Sequence, residues 1–134
     1  MILAWIAAAS TALALATTSP ALSPPSQPGP WRQVGAAMTS KPGKTLHRYR
    51  IVQNPKALGV VVASSSSRTI KLSWWSYCEM ESDDVMTEEN QGTITGVHLV
   101  NAYPPVLDGA TTCYVWVNAG AGGTARVSAA IFAY

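Results

Sequence analysis

Apolar and polar positions alternate with a period of two through much of this chain. From Trp31 onward no 3.6-residue periodicity is sustained. Short runs rich in β-branched and aromatic residues are separated by Gly, Pro, Asn and Ser. The pattern predicts strands at "WRQVGA" (31 to 36), "TLHRYRIV" (45 to 52), "ALGVVVAS" (57 to 64), "RTIKLSWWSYCEM" (68 to 80), "GTITGVHLVNAY" (92 to 103), "TTCYVWVNA" (111 to 119) and "TARVSAAIFAY" (124 to 134). "TSKPGK", "QNPK", "SSSS", "PPVLDGA" and "GAGG" supply the turn residues between them. The break at "NAGAGGTAR" reads as a hairpin, which makes the last two strands antiparallel neighbours. The expected fold is all-β: a single antiparallel β-sandwich, immunoglobulin-like or jelly-roll-like, of about seven strands with one disulfide. The cysteine spacing and the tyrosine corner of immunoglobulin domains are not matched.

Two strands carry most of the information. In 68 to 80 the even positions Arg68, Ile70, Leu72, Trp74, Ser76, Cys78 and Met80 are mostly apolar, whereas Thr69, Lys71, Ser73, Trp75, Tyr77 and Glu79 occupy the odd ones. Adjacent strand side chains point to opposite faces, so Trp74 belongs inside and Trp75 outside. The second cysteine strand repeats the arrangement: Cys113, Val115, Val117 and Ala119 form one row, and Thr112, Tyr114, Trp116 and Asn118 the other. A register that buries the cysteines therefore turns Trp75, Tyr77, Tyr114 and Trp116 outward. These four are the candidate ligand-binding residues. They form one platform if the cysteine strands are neighbours in a sheet, and two surfaces if those strands face each other across the core. The competing expectation is that a loop, the proline-rich arm or the C-terminal "IFAY" covers them.

The two ends of the chain bear on location. Residues 1 to 16, "MILAWIAAASTALALA", are apolar with Ala-x-Ala spacings, as in a secretion signal, although no Lys or Arg follows Met1. The run is shorter than the ~20 residues a membrane span requires. Residues 17 to 30, with four prolines between 24 and 30, read as an extended linker leading to a domain at 31 to 134. A secreted, extracellular location and no membrane association after cleavage are expected. In that setting Cys78 and Cys113 should pair as a structural staple.

The charge pattern narrows the chemistry. A net charge of +2 over 134 residues gives no electrostatic signature for nucleic acid. Six of the seven acidic residues, Glu79, Glu81, Asp83, Asp84, Glu88 and Glu89, share one window, where Ser82 could cap a short helix. Their spacing fits no EF-hand, and a solvated loop is expected over a calcium site. Arg48 and Arg50 share one strand face and Tyr49 and Ile51 the other. A solvated basic face is expected; the alternatives are that it meets the acidic window, an anionic polymer or a second copy.

His47 and His98, the two histidines, lie in no hydrolase or zinc motif. No catalytic residue, metal or cofactor is expected, the lesser alternative being an unrecognised hydrolase in which a histidine meets a serine or carboxylate, and no N-glycosylation sequon occurs. The expected function is a non-catalytic binding module that recognises glycan or a cell-surface polymer through exposed aromatics. The alternative is a structural or protein-binding extracellular protein, a surface protein, inhibitor or assembly subunit, with a protein partner or self-association.

Overall fold

The computed structural model describes residues 22 to 81 and 88 to 134. The expected secretion signal at 1 to 16, and Ser82, Asp83 and Asp84 of the acidic window, lie outside these residues. Nine strands are formed among those described: β1 (Arg32–Gln33), β2 (Met38–Thr39), β3 (Leu46–Gln53), β4 (Leu58–Ser64), β5 (Thr69–Met80), β6 (Glu88–Val97), β7 (Leu99–Ala102), β8 (Ala110–Gly120) and β9 (Val127–Ala133). They build two antiparallel sheets packed face to face. One runs β3, β8, β5, β6; the other runs β1, β9, β4, β7, with β2 also paired to β9. The expected sandwich of all-β class is what forms.

The extra strands come from local breaks. Of the expected strand at 31 to 36 only β1 forms, as a stub on β9; Gly35, with φ at 72°, breaks it, and the chain returns to β9 as β2, beyond the expected bounds. Arg50 presses its guanidinium into the space that a Gly35 side chain would fill. The expected strand at 92 to 103 is split at His98, whose φ of 67° carries the chain from β6 in one sheet to β7 in the other.

One connection differs from expectation. β8 and β9 are not a hairpin: β8 pairs with β3 and β5, while β9 pairs with β4, β1 and β2. The glycine-rich turn at 121 to 126, with Gly122 and Gly123 at positive φ, arches across the sandwich instead. Turn composition specifies that a chain reverses, and it does not specify which sheet receives the next strand.

The main core lies between the sheets. Leu46, Val52, Ile70, Leu72, Cys113, Val115 and Val117 meet Leu58, Val60, Val62, Val127, Ala129 and Ile131 from the opposite side, all buried. Burying one such aliphatic side chain is worth about 1.5 to 3 kcal/mol. Trp74 packs against this cluster, as its alternation requires, and its indole lies over Gly92 on the neighbouring strand, where any Cβ would overlap it. Cys78 and Cys113 form a disulfide and are directly opposite each other on β5 and β8. The staple therefore joins neighbours within one sheet and does not bridge the two.

β9 is buried on both faces, and so is the first part of β4. The outer side of that sheet carries a second apolar cluster, Ala37, Val61, Ala130 and Phe132, against which Leu22 and Trp31 pack. The proline-rich segment from residue 22 is thus laid down on the sheet. Gln27 N–H donates to the Tyr103 hydroxyl at 2.9 Å, Trp31 Nε1–H donates to the Gln27 carbonyl at 2.7 Å, and the Trp31 ring meets Tyr134 edge-on at 4.7 Å. An extended proline-rich chain has few N–H groups to satisfy, which suits it to an apolar surface.

Candidate functional site

The outer face of the β3, β8, β5, β6 sheet is built by register. Tyr77 stands opposite Tyr114, and Trp75 opposite Trp116, across β5 and β8. On the far side of β8, Tyr49 stands opposite Trp116 and Ile51 opposite Tyr114. On the far side of β5, Gln91 and Glu89 of β6 stand opposite Trp75 and Tyr77. The four aromatic residues expected to face outward do so, and they form one platform because the cysteine strands are neighbours. A register shift in β5 occurs at Glu79/Met80, past the disulfide, so the two faces are not exchanged before it.

These aromatics cover one another. Tyr77 and Tyr114 have ring centroids 4.5 Å apart and planes within 11°, an overlapped stack. Trp75 lies 4.4 Å from Trp116 at 35° between planes, and Trp116 lies 4.9 Å from Tyr49 at 36°. Mutual contact leaves Trp75, Tyr77, Tyr114 and Trp116 half-buried although they point away from the core. Each such pair contributes roughly 0.5 to 1.5 kcal/mol beyond simple burial. Neither the described part of the arm, from residue 22, nor the C-terminal "IFAY" covers the platform; both belong to the other sheet.

Tyr49 is the member that sequence reading missed. It is 41% exposed and its neighbour Ile51 47%, and both extend the platform onto β3. The flanking arginines drew attention to the opposite face. That face is structural: Arg48 donates to the Ala36 carbonyl at 2.7 Å and also contacts Met38 Sδ, while Arg50 Nε donates to the Val34 carbonyl at 3.3 Å. The two guanidinium groups lace β3 to the broken edge at β1 and β2, where backbone carbonyls would otherwise lack donors.

Polar groups frame the aromatics. His47 Nδ1–H donates to Asn118 Oδ1 at 2.6 Å, Thr112 Oγ1 donates to Gln53 Oε1 at 3.1 Å, and the Tyr114 hydroxyl donates to Glu79 Oε1 at 3.2 Å. A shallow depression of about 490 Å³ opens beside the tryptophans, lined by Ser73, Trp74, Trp75, Gln91, Gly92, Thr93, Trp116 and Asn118. Among the described residues no group of three His, Cys, Asp or Glu side chains is placed to hold a metal ion. His47 is engaged by an amide and not by a serine or carboxylate.

Partial burial of its phenol, and then the Glu79 carboxylate beside it, hold Tyr114 above the ordinary tyrosine range. The neutral phenol is thus favoured in the folded chain. Its contribution to stability is complete below the unfolded tyrosine pKa of ~10 and is lost as pH rises through the higher folded value. Glu79→Gln is expected to bring the Tyr114 midpoint down, read from its ring signals in an alkaline NMR titration. An unchanged or higher midpoint would show that the carboxylate is not a cause.

Among the described residues no helix is long and apolar enough to cross a membrane, and the disulfide fits an extracellular protein. Comparison with known proteins adds no relative: no family model, no curated protein and no solved structure matches this chain.

Proposed function

We propose that this chain is a secreted, non-catalytic binding module that holds a glycan or related cell-surface polymer on the outer face of the β3, β8, β5, β6 sheet. The observation that carries the reading is an asymmetry between the two outer faces. One is covered by the chain's own residues 22 to 31, whereas the other gathers Tyr49, Trp75, Tyr77, Tyr114 and Trp116, with no cover from another strand or from that arm among the described residues. Aromatic surface kept at the solvent side of a sheet, with hydrogen-bonding side chains around it, suits sugars: apolar ring faces and C–H groups bury against indoles while hydroxyls find polar partners. Secretion accords with the disulfide and with the apolar, alanine-rich residues 1 to 16.

A protein partner is the second reading, favoured by the exposed Ile51 beside Tyr49, since an aliphatic and aromatic patch also suits a protein interface. Co-sedimentation of the purified protein with insoluble polysaccharides and cell-wall material separates the two. Binding is expected, and Trp75→Ala or Trp116→Ala should weaken it roughly thirtyfold, the ~2 kcal/mol of an anchoring residue. If nothing sediments, or if both variants bind as well as the parent, the glycan reading falls and a protein partner becomes the object of search.

A further inference from the structure

We propose that the ligand is an uncharged, hydroxyl-rich glycan chain that lies across the strands in the depression beside the tryptophan pair. The inference rests on the binding reading above and narrows it to a place, a direction and a ligand charge.

The place follows from how the rings are used. Trp116 has aromatic neighbours on both sides, Tyr49 on β3 and Trp75 on β5, and Tyr77 and Tyr114 overlap each other. Little of these faces is left for a sugar. Trp75 differs: its neighbour on β6 is Gln91, so its β6 side carries no competing ring. The depression is lined by both tryptophans and reaches neither Tyr77 nor Tyr114. The tyrosine pair then acts as a prop that fixes the tryptophans from behind.

The direction follows from register. Asn118, Ser73 and Thr93 stand opposite one another on β8, β5 and β6, and form a row parallel to that of Trp116, Trp75 and Gln91. Both rows line the depression, and both run across the strands. Three adjacent strands give it a span of about 10 Å. One wall offers indole surface and the other offers a line of hydroxyl and amide groups, which together match the two sides of an extended sugar chain.

The charge follows from the lining. Ser73, Gln91, Thr93 and Asn118 are all neutral, and each can both donate and accept a hydrogen bond. The acidic and basic groups on this sheet face, His47 against Asn118, Lys71 toward one end and Glu79 and Glu89 toward the other, are of both signs and none of them lines the depression. No single-signed field is present there to recruit a polyanion.

The test is a titration of the purified protein, followed by its tryptophan fluorescence, with soluble neutral glucan, mannan and chitin oligosaccharides and with polygalacturonate as the anionic comparison. A neutral oligosaccharide is expected to bind with an affinity that changes less than about twofold between low and high salt, where an exposed ion pair would be screened. Asn118→Ala and Gln91→Ala, both at exposed positions, should each weaken binding by about tenfold, as for loss of one well-formed hydrogen bond. Leu99→Ala, at an exposed position of β7 in the opposite sheet, should leave it within about twofold. Binding confined to polygalacturonate and falling steeply with salt would overturn the inference. So would neutral binding that Trp75→Ala abolishes and Asn118→Ala and Gln91→Ala leave intact, although the broader binding reading would survive that result. If neither kind of polymer binds, both fall.

Discussion

Replacing Cys78 and Cys113 together by alanine is expected to lower the unfolding free energy by about 3 to 4 kcal/mol. The cysteines are 35 residues apart in sequence, and chain-entropy reasoning for a loop of that length gives this magnitude. For a domain of this size the corresponding fall in Tm is roughly 12 to 25 °C. The bond also has a positional role. Cys78 and Cys113 are the pair next in register to Tyr77 and Tyr114, so the disulfide pins the alignment on which the stacked rings depend. Near-ultraviolet circular dichroism of the reduced or alanine-substituted protein should lose aromatic signal before the far-ultraviolet strand signal collapses. A loss below about 1 kcal/mol by denaturant titration would show that the two strands hold their register without the bond.

The second large effect is expected at Phe132. On the outer face of a sheet a phenylalanine would ordinarily be half-exposed and cheap to remove, yet Phe132 is only 3% exposed under Trp31 and Leu22. Phe132→Ala should therefore cost about 3 to 5 kcal/mol, the range of a buried aromatic in a main core. Equilibrium denaturation checks this. A cost under about 1.5 kcal/mol would mean that residues 22 to 31 lie loosely on the sheet, and that the domain's effective boundary is at Trp31 after all.

These two sites show where the sequence could be read and where it could not. β5 and β8 lie side by side within a sheet that has one dry and one wet face. Apart from Ser76, which is polar yet buried in the inward row, the inward and outward rows could be read residue by residue. β9 is dry on both faces, so "VSAAIFA" carries no alternation. A strand apolar on both sides calls for a cover, but the cover is rich in proline and short of hydrophobic residues, and that composition reads as a spacer. Only Leu22 and Trp31 betrayed it.

Tyr49 escaped notice for a different reason. Its role is created by pairing with Trp116, far away in sequence, and strand order is a property of the whole chain that no local pattern encodes. The same holds for the turn between β8 and β9. A hairpin and an arch between sheets use the same glycines, and the choice is made by which sheet has an unfilled place for an apolar strand.

In the proposed function one outer face of the sandwich takes a ligand and the other takes the chain's own arm. Hydroxyl-radical footprinting read by mass spectrometry, with and without saturating polysaccharide, distinguishes the two faces. Protection is expected at Trp75 and Trp116, which line the depression, with Trp31 and Tyr103 on the opposite face unchanged. Protection at Trp31 and Tyr103 instead, or bound polymer that protects none of the platform residues, would contradict it.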